Sequence, residues 1–112
     1  MSSITTHVLD TALGKAAAGI SVQLSVRAGE QLRTLALSTT DSDGRVRQFA
    51  TEAPLGAGIY QLSFDTAAYF RITQRATFFE KVTLEFSVAS GNEHYHVPLL
   101  LSPFGYTTYR GT

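Results

Sequence analysis

Apolar and polar residues alternate with a two-residue period along most of this chain, the period of a strand with one buried face. Residues 20–27 are the clearest case: Ile20, Val22, Leu24 and Val26 alternate with Ser21, Gln23, Ser25 and Arg27. Ala28-Gly29-Glu30 turns the chain, and Leu32 to Thr39 returns as a hairpin partner. Residues 4–10 place Thr5, His7 and Leu9 on one face and Ile4, Thr6 and Val8 on the other. The same alternation runs through Tyr60, Leu62 and Phe64 in residues 59–65, and through Val82, Leu84, Phe86 and Val88. Residues 93–102 form a strand-like apolar run, entered through Ser90-Gly91-Asn92 and left through Ser102-Pro103-Phe104-Gly105. Tyr106 to Gly111 reads as the last strand.

Between the strands the pattern breaks for identifiable reasons. Residues 11–19 are small and bounded by glycines, so they read as a loop, and their alanines are too few to nucleate a helix. The polar run from Thr39 ends in Asp43-Gly44, a tight-turn signal because glycine accepts positive φ, and a short strand from Arg45 to Phe49 leaves it. Residues 50–58, with Pro54, Gly56 and Gly58, form another loop. Residues 66–75 lose the two-residue period, and Asp65 or Thr66 is placed to cap a helix of about two turns. Eight short strands and one brief helix predict an all-β fold, a two-sheet antiparallel sandwich forming a single domain over residues 1–112. Pro98 cannot donate a ladder hydrogen bond, so its strand is expected at a sheet edge or bulged.

Composition narrows the function classes. Apolar residues at 44% and charged ones at 16% describe an ordinary globular chain. Nine basic and nine acidic residues cancel, so no global field draws the protein to nucleic acid or an anionic membrane, and self-association meets little repulsion. The absence of cysteine excludes disulfide and thiol chemistry. The first residues lack the basic and apolar regions of a signal peptide, and no apolar run nears the about 20 residues of a membrane span. A cytoplasmic location is expected, or a periplasmic one if a leader has been removed.

Three features carry candidate chemistry: His7, Arg45 after the Asp-Gly turn, and the His94-x-His96 pair with the tail behind it. Residues two apart on a strand share a face, so His94 and His96 point together. Taken singly, a strand histidine is usually half-buried with a local hydrogen bond, an arginine beside a turn is usually solvated, and Tyr109-Arg110 suits an edge cover. Taken together, two readings compete. Imidazoles titrate near neutrality and can take a proton from water beside an arginine that steadies an oxyanion. Alternatively, His-x-His with a third histidine is a zinc ligand set with water in the fourth position. Spacing does not choose between them. No phosphate loop or nucleophile elbow is present.

The chain resembles the transthyretin-like family, within it the 5-hydroxyisourate hydrolases of urate breakdown. The resemblance is carried by Thr6-His7-Val8-Leu9-Asp10-Thr11, Gly14-Lys15, Gly19-Ile20, the Asp-Gly-Arg ending at Arg45, Gly58-Ile59-Tyr60 and Phe64-Asp65-Thr66. It continues through His94-Tyr95-His96-Val97-Pro98-Leu99-Leu100-Leu101-Ser102-Pro103 and Tyr106 to Thr112. Carriers of the family share Leu-Leu-Ser-Pro but lack the histidine set and the Tyr-Arg-Gly-Ser ending.

The resemblance implies an eight-stranded sandwich that dimerises edge to edge and pairs into a homotetramer, with active sites in the channel between dimers and the tail in its wall. It implies hydrolysis of the small-molecule substrate 5-hydroxyisourate to 2-oxo-4-hydroxy-4-carboxy-5-ureidoimidazoline, without metal or organic cofactor. His7 and His96 would position and deprotonate water, and Arg45 would bind the carbonyl edge, with Arg47 as its confounder. His94 would support the pair, and Tyr109, Arg110 and Thr112 would complete the substrate-binding set. Thr112 replaces the usual serine but keeps the hydroxyl, and Ala16 replaces a proline common after Gly-Lys. The alternative implied is a non-catalytic carrier of a small hormone-like molecule using the same channel.

Overall fold

The alternating runs bury the expected faces. In the computed structural model, which describes residues 2–112, Ile4, Thr6, Val8 and Asp10 of β1 (Ser3–Asp10) point inward. Tyr95, Val97, Leu99 and Leu101 of β8 (His94–Ser102) point inward beside them. Opposite stand Val22 and Leu24 of β3 (Ser21–Ala28), Tyr60, Leu62 and Phe64 of β6 (Gly58–Phe64), and Val82, Leu84 and Val88 of β7 (Val82–Val88). These side chains meet as one hydrophobic core between two sheets.

One sheet runs β4–β3–β6–β7, with β4 (Gln31–Thr39) paired to β3 as the predicted hairpin. The other runs β2–β1–β8–β9, with β5 (Arg45–Val46) also paired to β1. Two of its strands are shorter than or absent from the sequence expectation. The strand expected over Arg45–Phe49 closes after Val46, and β2 (Lys15–Ala16) is a two-residue strand inside the expected loop. The sandwich is not wholly antiparallel: β1 and β8 run parallel over their length, with Thr5 beside His96 and Ser3 beside His94.

β8 is therefore an interior strand, not an edge. Its pairing with β9 (Gly105–Thr108) ends at Leu99, lapses beside Pro98, and resumes at a bridge between His96 and Gly111. The proline lies in this gap, where its missing N–H removes no ladder bond, and the Thr108 hydroxyl donates to its carbonyl at 2.8 Å. In β3 a register shift between Leu24 and Ser25 buries Ser25, which simple alternation had placed outside.

Helix α1 (Thr66–Ile72) joins β6 to β7, capped by the Asp65 side chain, which accepts from the Ala68 N–H. It buries Tyr69 and Phe70, and with them the main polar feature of the interior. Asp10 is fully buried at the inner end of β1. Its carboxylate accepts from the Tyr69 hydroxyl at 2.7 Å, from the Leu13 N–H at 3.1 Å and from the Arg75 guanidinium. Arg75 in turn lies over the Phe70 ring, 5.0 Å from its centroid.

Candidate functional site

The site is built on the outer face of the sheet that contains β1 and β8. Because Ile4, Thr6 and Val8 face the core, Ser3, Thr5 and His7 face out. On β8 the same parity turns His94 and His96 out, and their rings stack at an interplanar angle of 11° with centroids 6.4 Å apart. Thr5 lies between them: its hydroxyl is 2.8 Å from His96 Nδ1 and 3.1 Å from His94 Nε2. His94 Nδ1 reaches the Ser3 hydroxyl at 2.6 Å.

Arg45 is delivered to this face by its turn. The Asp41 carboxylate accepts from the backbone N–H groups of Asp43 at 2.9 Å and Arg45 at 3.0 Å, closing the loop on itself. Gly44 at φ +75° packs against β1, where a Cβ would overlap the Val8 carbonyl oxygen, and its own carbonyl accepts from Val8 N–H at 2.7 Å. Arg45 then pairs in register with His7. Among the described residues Arg45 forms no ion pair, whereas Arg47 is drawn to Asp41 at 3.5 Å and Asp43 at 3.0 Å. That leaves Arg45 the guanidinium available to a ligand.

A cavity of about 440 Å³ lies here, lined by Thr5, Arg45, Arg47, His94, His96 and Thr112. Thr112 is brought in by the bridge from Gly111 N–H to the His96 carbonyl, at 2.7 Å. Gly111 has to be glycine: a Cβ there would lie 2.6 Å from His96 Cδ2. Burial, then Arg45, His94 and His7, hold His96 below the usual imidazole pKa, so it remains an uncharged proton acceptor to lower pH.

Not every expected residue joins them. His7 stands one register step from the cavity, opposite Arg45, and does not line it. Among the described residues, no cluster of three or more His, Cys, Asp or Glu has metal-holding geometry. Tyr109 and Arg110 line a separate cavity of about 260 Å³ with Phe86, Tyr95 and Val97. Arg110 stacks 4.6 Å from the Tyr95 ring centroid and leans to Glu93 at 3.8 Å. The tail leaves regular strand geometry beyond Thr108, so these two side chains, expected in the substrate-binding set from the resemblance, face a different part of the molecule in the single chain. Sequence reasoning missed Ser3, Thr5 and the cavity-lining position of Arg47. Thr5 shares the parity of His7, but parity places it only on the outer face, and its position between the imidazoles comes from register with β8.

A larger cavity, about 570 Å³, shares Arg47 with this one, and its described lining offers Glu52 but no imidazole. The imidazoles of His94 and His96 and the Arg45 side chain line the smaller space. The molecule is a two-sheet β-sandwich with a histidine–arginine site on the outer face of one sheet. The chain belongs to the HIUase/transthyretin family, which it matches over residues 4–111.

Among its relatives, the 5-hydroxyisourate hydrolase of Caulobacter vibrioides is 46% identical over 116 residues, covering all of both chains. The solved structure of Klebsiella pneumoniae 5-hydroxyisourate hydrolase superposes with a TM-score of 0.86 at 36% identity, covering 98% of this chain and 99% of that one. Sea bream transthyretin in complex with thyroxine superposes with a TM-score of 0.92 at 30% identity, covering 98% and 95%.

Proposed function

We propose that this protein is a 5-hydroxyisourate hydrolase. The fold alone does not choose, because a thyroxine-bound transthyretin superposes as well as a hydrolase does. The observation that carries the reading is the site: two outward imidazoles tied through Thr5, beside an arginine that forms no ion pair among the described residues, in a chain 46% identical to a hydrolase along its whole length.

In this reading His96 removes a proton from water as the oxygen attacks a ring carbonyl of the substrate, and the ring amide opens to 2-oxo-4-hydroxy-4-carboxy-5-ureidoimidazoline. Arg45 binds the carbonyl edge and steadies the oxyanion, since a guanidinium fork donates two parallel hydrogen bonds. His7 orients the water from beside Arg45, His94 supports His96, and Thr112 closes the pocket. Tyr109 and Arg110 hold the tail against Tyr95. A homotetramer, dimerised through the outer strands β7 and β9, would place this face in a channel between dimers. Among the described residues each of these strands pairs on one side only, β7 with β6 and β9 with β8, and its other edge has no strand neighbour within the chain.

The pure protein is expected to remove 5-hydroxyisourate absorbance faster than its spontaneous decay. A rate equal to the spontaneous one removes the enzyme reading in favour of a carrier. Gly111→Ala is expected to push the His96 ring aside and lower turnover on the order of 10²-fold, because small misplacements of a reacting group are costly. Steady-state kinetics would check it, and wild-type turnover would show that the tail does not position His96.

A further inference from the structure

Hydroxyl and imidazole alternate in one hydrogen-bonded line along the outer face. Ser3 Oγ is 2.6 Å from His94 Nδ1, His94 Nε2 is 3.1 Å from Thr5 Oγ1, and Thr5 Oγ1 is 2.8 Å from His96 Nδ1. Register produces the line: on parallel neighbours, Ser3 stands beside His94 and Thr5 beside His96. Ser3 and His94 are exposed, so one end opens to water, while His96 at the other end is half-buried in the cavity.

A hydroxyl carries one hydrogen, and a neutral imidazole carries one N–H and one bare nitrogen. With both rings neutral, two arrangements make Thr5 accept from one ring and donate to the other; a third, in which Thr5 accepts from both rings, satisfies every bond but passes no proton along the line. In the first, His96 Nδ1–H donates to Thr5, the Thr5 hydroxyl donates to His94 Nε2, and His94 Nδ1–H donates to Ser3. His96 Nε2 is then a bare lone pair. In the second every bond is reversed, and His96 Nε2 carries the hydrogen.

We propose that the line Ser3–His94–Thr5–His96 is a proton relay whose reversal turns His96 from base to acid, with Thr5 as the positioning residue that couples the two imidazoles. Its chemistry rests on the hydrolase reading. In the first arrangement His96 Nε2 takes a proton from water as the oxygen–carbon bond forms and the carbonyl π electrons move onto oxygen. The His96 Nδ1 proton passes to Thr5, the Thr5 proton to His94 Nε2, the His94 Nδ1 proton to Ser3, and the Ser3 proton to solvent. The line then stands reversed.

The oxyanion's electron pair then re-forms the carbonyl, the carbon–nitrogen bond breaks with its electron pair going to nitrogen, and neutral His96 Nε2–H protonates that nitrogen. Solvent returns one proton through Ser3, restoring the first arrangement. One proton leaves and one comes back in each turnover. Neither step strands an imidazolium beside the Arg45 cation, where it would be disfavoured.

Thr5→Val removes the hydroxyl and keeps the shape, while Thr5→Ser keeps the hydroxyl. Thr5→Val is expected to lower kcat about tenfold to 100-fold with KM little changed, a share of what general acid–base catalysis supplies, and Thr5→Ser to restore most of it. Histidine ¹⁵N NMR of the resting protein is expected to place the His96 hydrogen on Nδ1 in the wild type and Thr5→Ser, and to lose that preference in Thr5→Val. Wild-type kcat in Thr5→Val, a Thr5→Ser as slow as Thr5→Val, or an unchanged His96 tautomer in Thr5→Val would each overturn the relay. A wild-type protein that does not accelerate 5-hydroxyisourate hydrolysis overturns the assigned reaction instead, and the NMR comparison then decides the hydrogen-bonded line by itself.

Discussion

His96→Gln is expected to lower kcat by about 10²–10⁴-fold, the range that a positioned acid or base supplies, and to leave the chain folded. Glutamine still offers an amide to Thr5 but cannot take up a proton at neutral pH. His96 lies half-buried outside the hydrophobic core, so little packing is lost. The pH dependence gives a second reading of the same residue. Burial first, and then Arg45, His94 and His7, keep its pKa below the ordinary 6.5, so the acid limb of kcat/KM should fall below pH 6.5. Activity is lost as the pH drops through that depressed value, because the protonated ring cannot act as the base. Folding stability has the same sign. The unfolded ring takes a proton first, so the His96 contribution is full above 6.5 and declines as pH falls through the folded value. Arg45→Gln removes a neighbouring cation and is expected to move the His96 NMR titration upward, whereas Arg45→Lys keeps it low. A downward movement, or wild-type turnover in His96→Gln, would exclude His96 as the base.

Asp10→Ala is expected to cost about 3–5 kcal/mol of folding stability, the range for removing one partner of a buried ion pair. Arg75 keeps 20% of its side chain exposed, which favours the lower end. Burial pushes the Asp10 carboxyl up, but Arg75, the Tyr69 hydroxyl and the Leu13 N–H outweigh it and hold the group below 3.8. Its contribution is therefore full above 3.8 and lost as pH falls through the lower folded value. Tyr69 is pushed up to about 12, by burial and then by Asp10. Its share is full below 10.0 and lost as pH rises through about 12. Denaturant unfolding of Asp10→Ala and Asp10→Asn over a pH series checks both limbs. The asparagine variant is expected to lose the acid-side dependence, and a cost under about 1 kcal/mol for the alanine variant would place Asp10 with ordinary surface positions.

What the sequence discloses depends on how local the cause is. Ile20 to Val26 and Tyr60 to Phe64 announce their strands because alternation is decided by each strand's own two faces. Asp65 announces its helix for the same reason. The parallel pairing of β1 with β8 has no local signal, since turn residues mark hairpins and these strands are joined by none. Asp10 was hidden too: a carboxylate on the buried parity makes sense only beside Tyr69 and Arg75, which lie far along the chain. In the site, His94 and His96 could be placed on one face by spacing, and Arg45 by its Asp-Gly turn. Thr5 could not be singled out, because threonine is an ordinary strand residue and its role comes from register with β8. Tyr109 and Arg110 show the converse failure. The resemblance puts them in the substrate-binding set, and in the single chain the tail departs from strand geometry where the ladder lapses beside Pro98, so they turn to Tyr95 instead.

The parallel join between the first long strand and the eighth also bears on how the protein reaches its working state. Thr5 and His96 are 91 residues apart in sequence, so their contact closes nearly the whole chain into a loop. Such pairings form against a large entropy cost and are characteristic of slow-folding β topologies. The two hairpin-built strands β3 and β4 can meet early, but no base, relay or pocket exists until the chain's two ends have come together. Recovery of activity during refolding should thus lag behind the appearance of sheet structure and coincide with the final cooperative step.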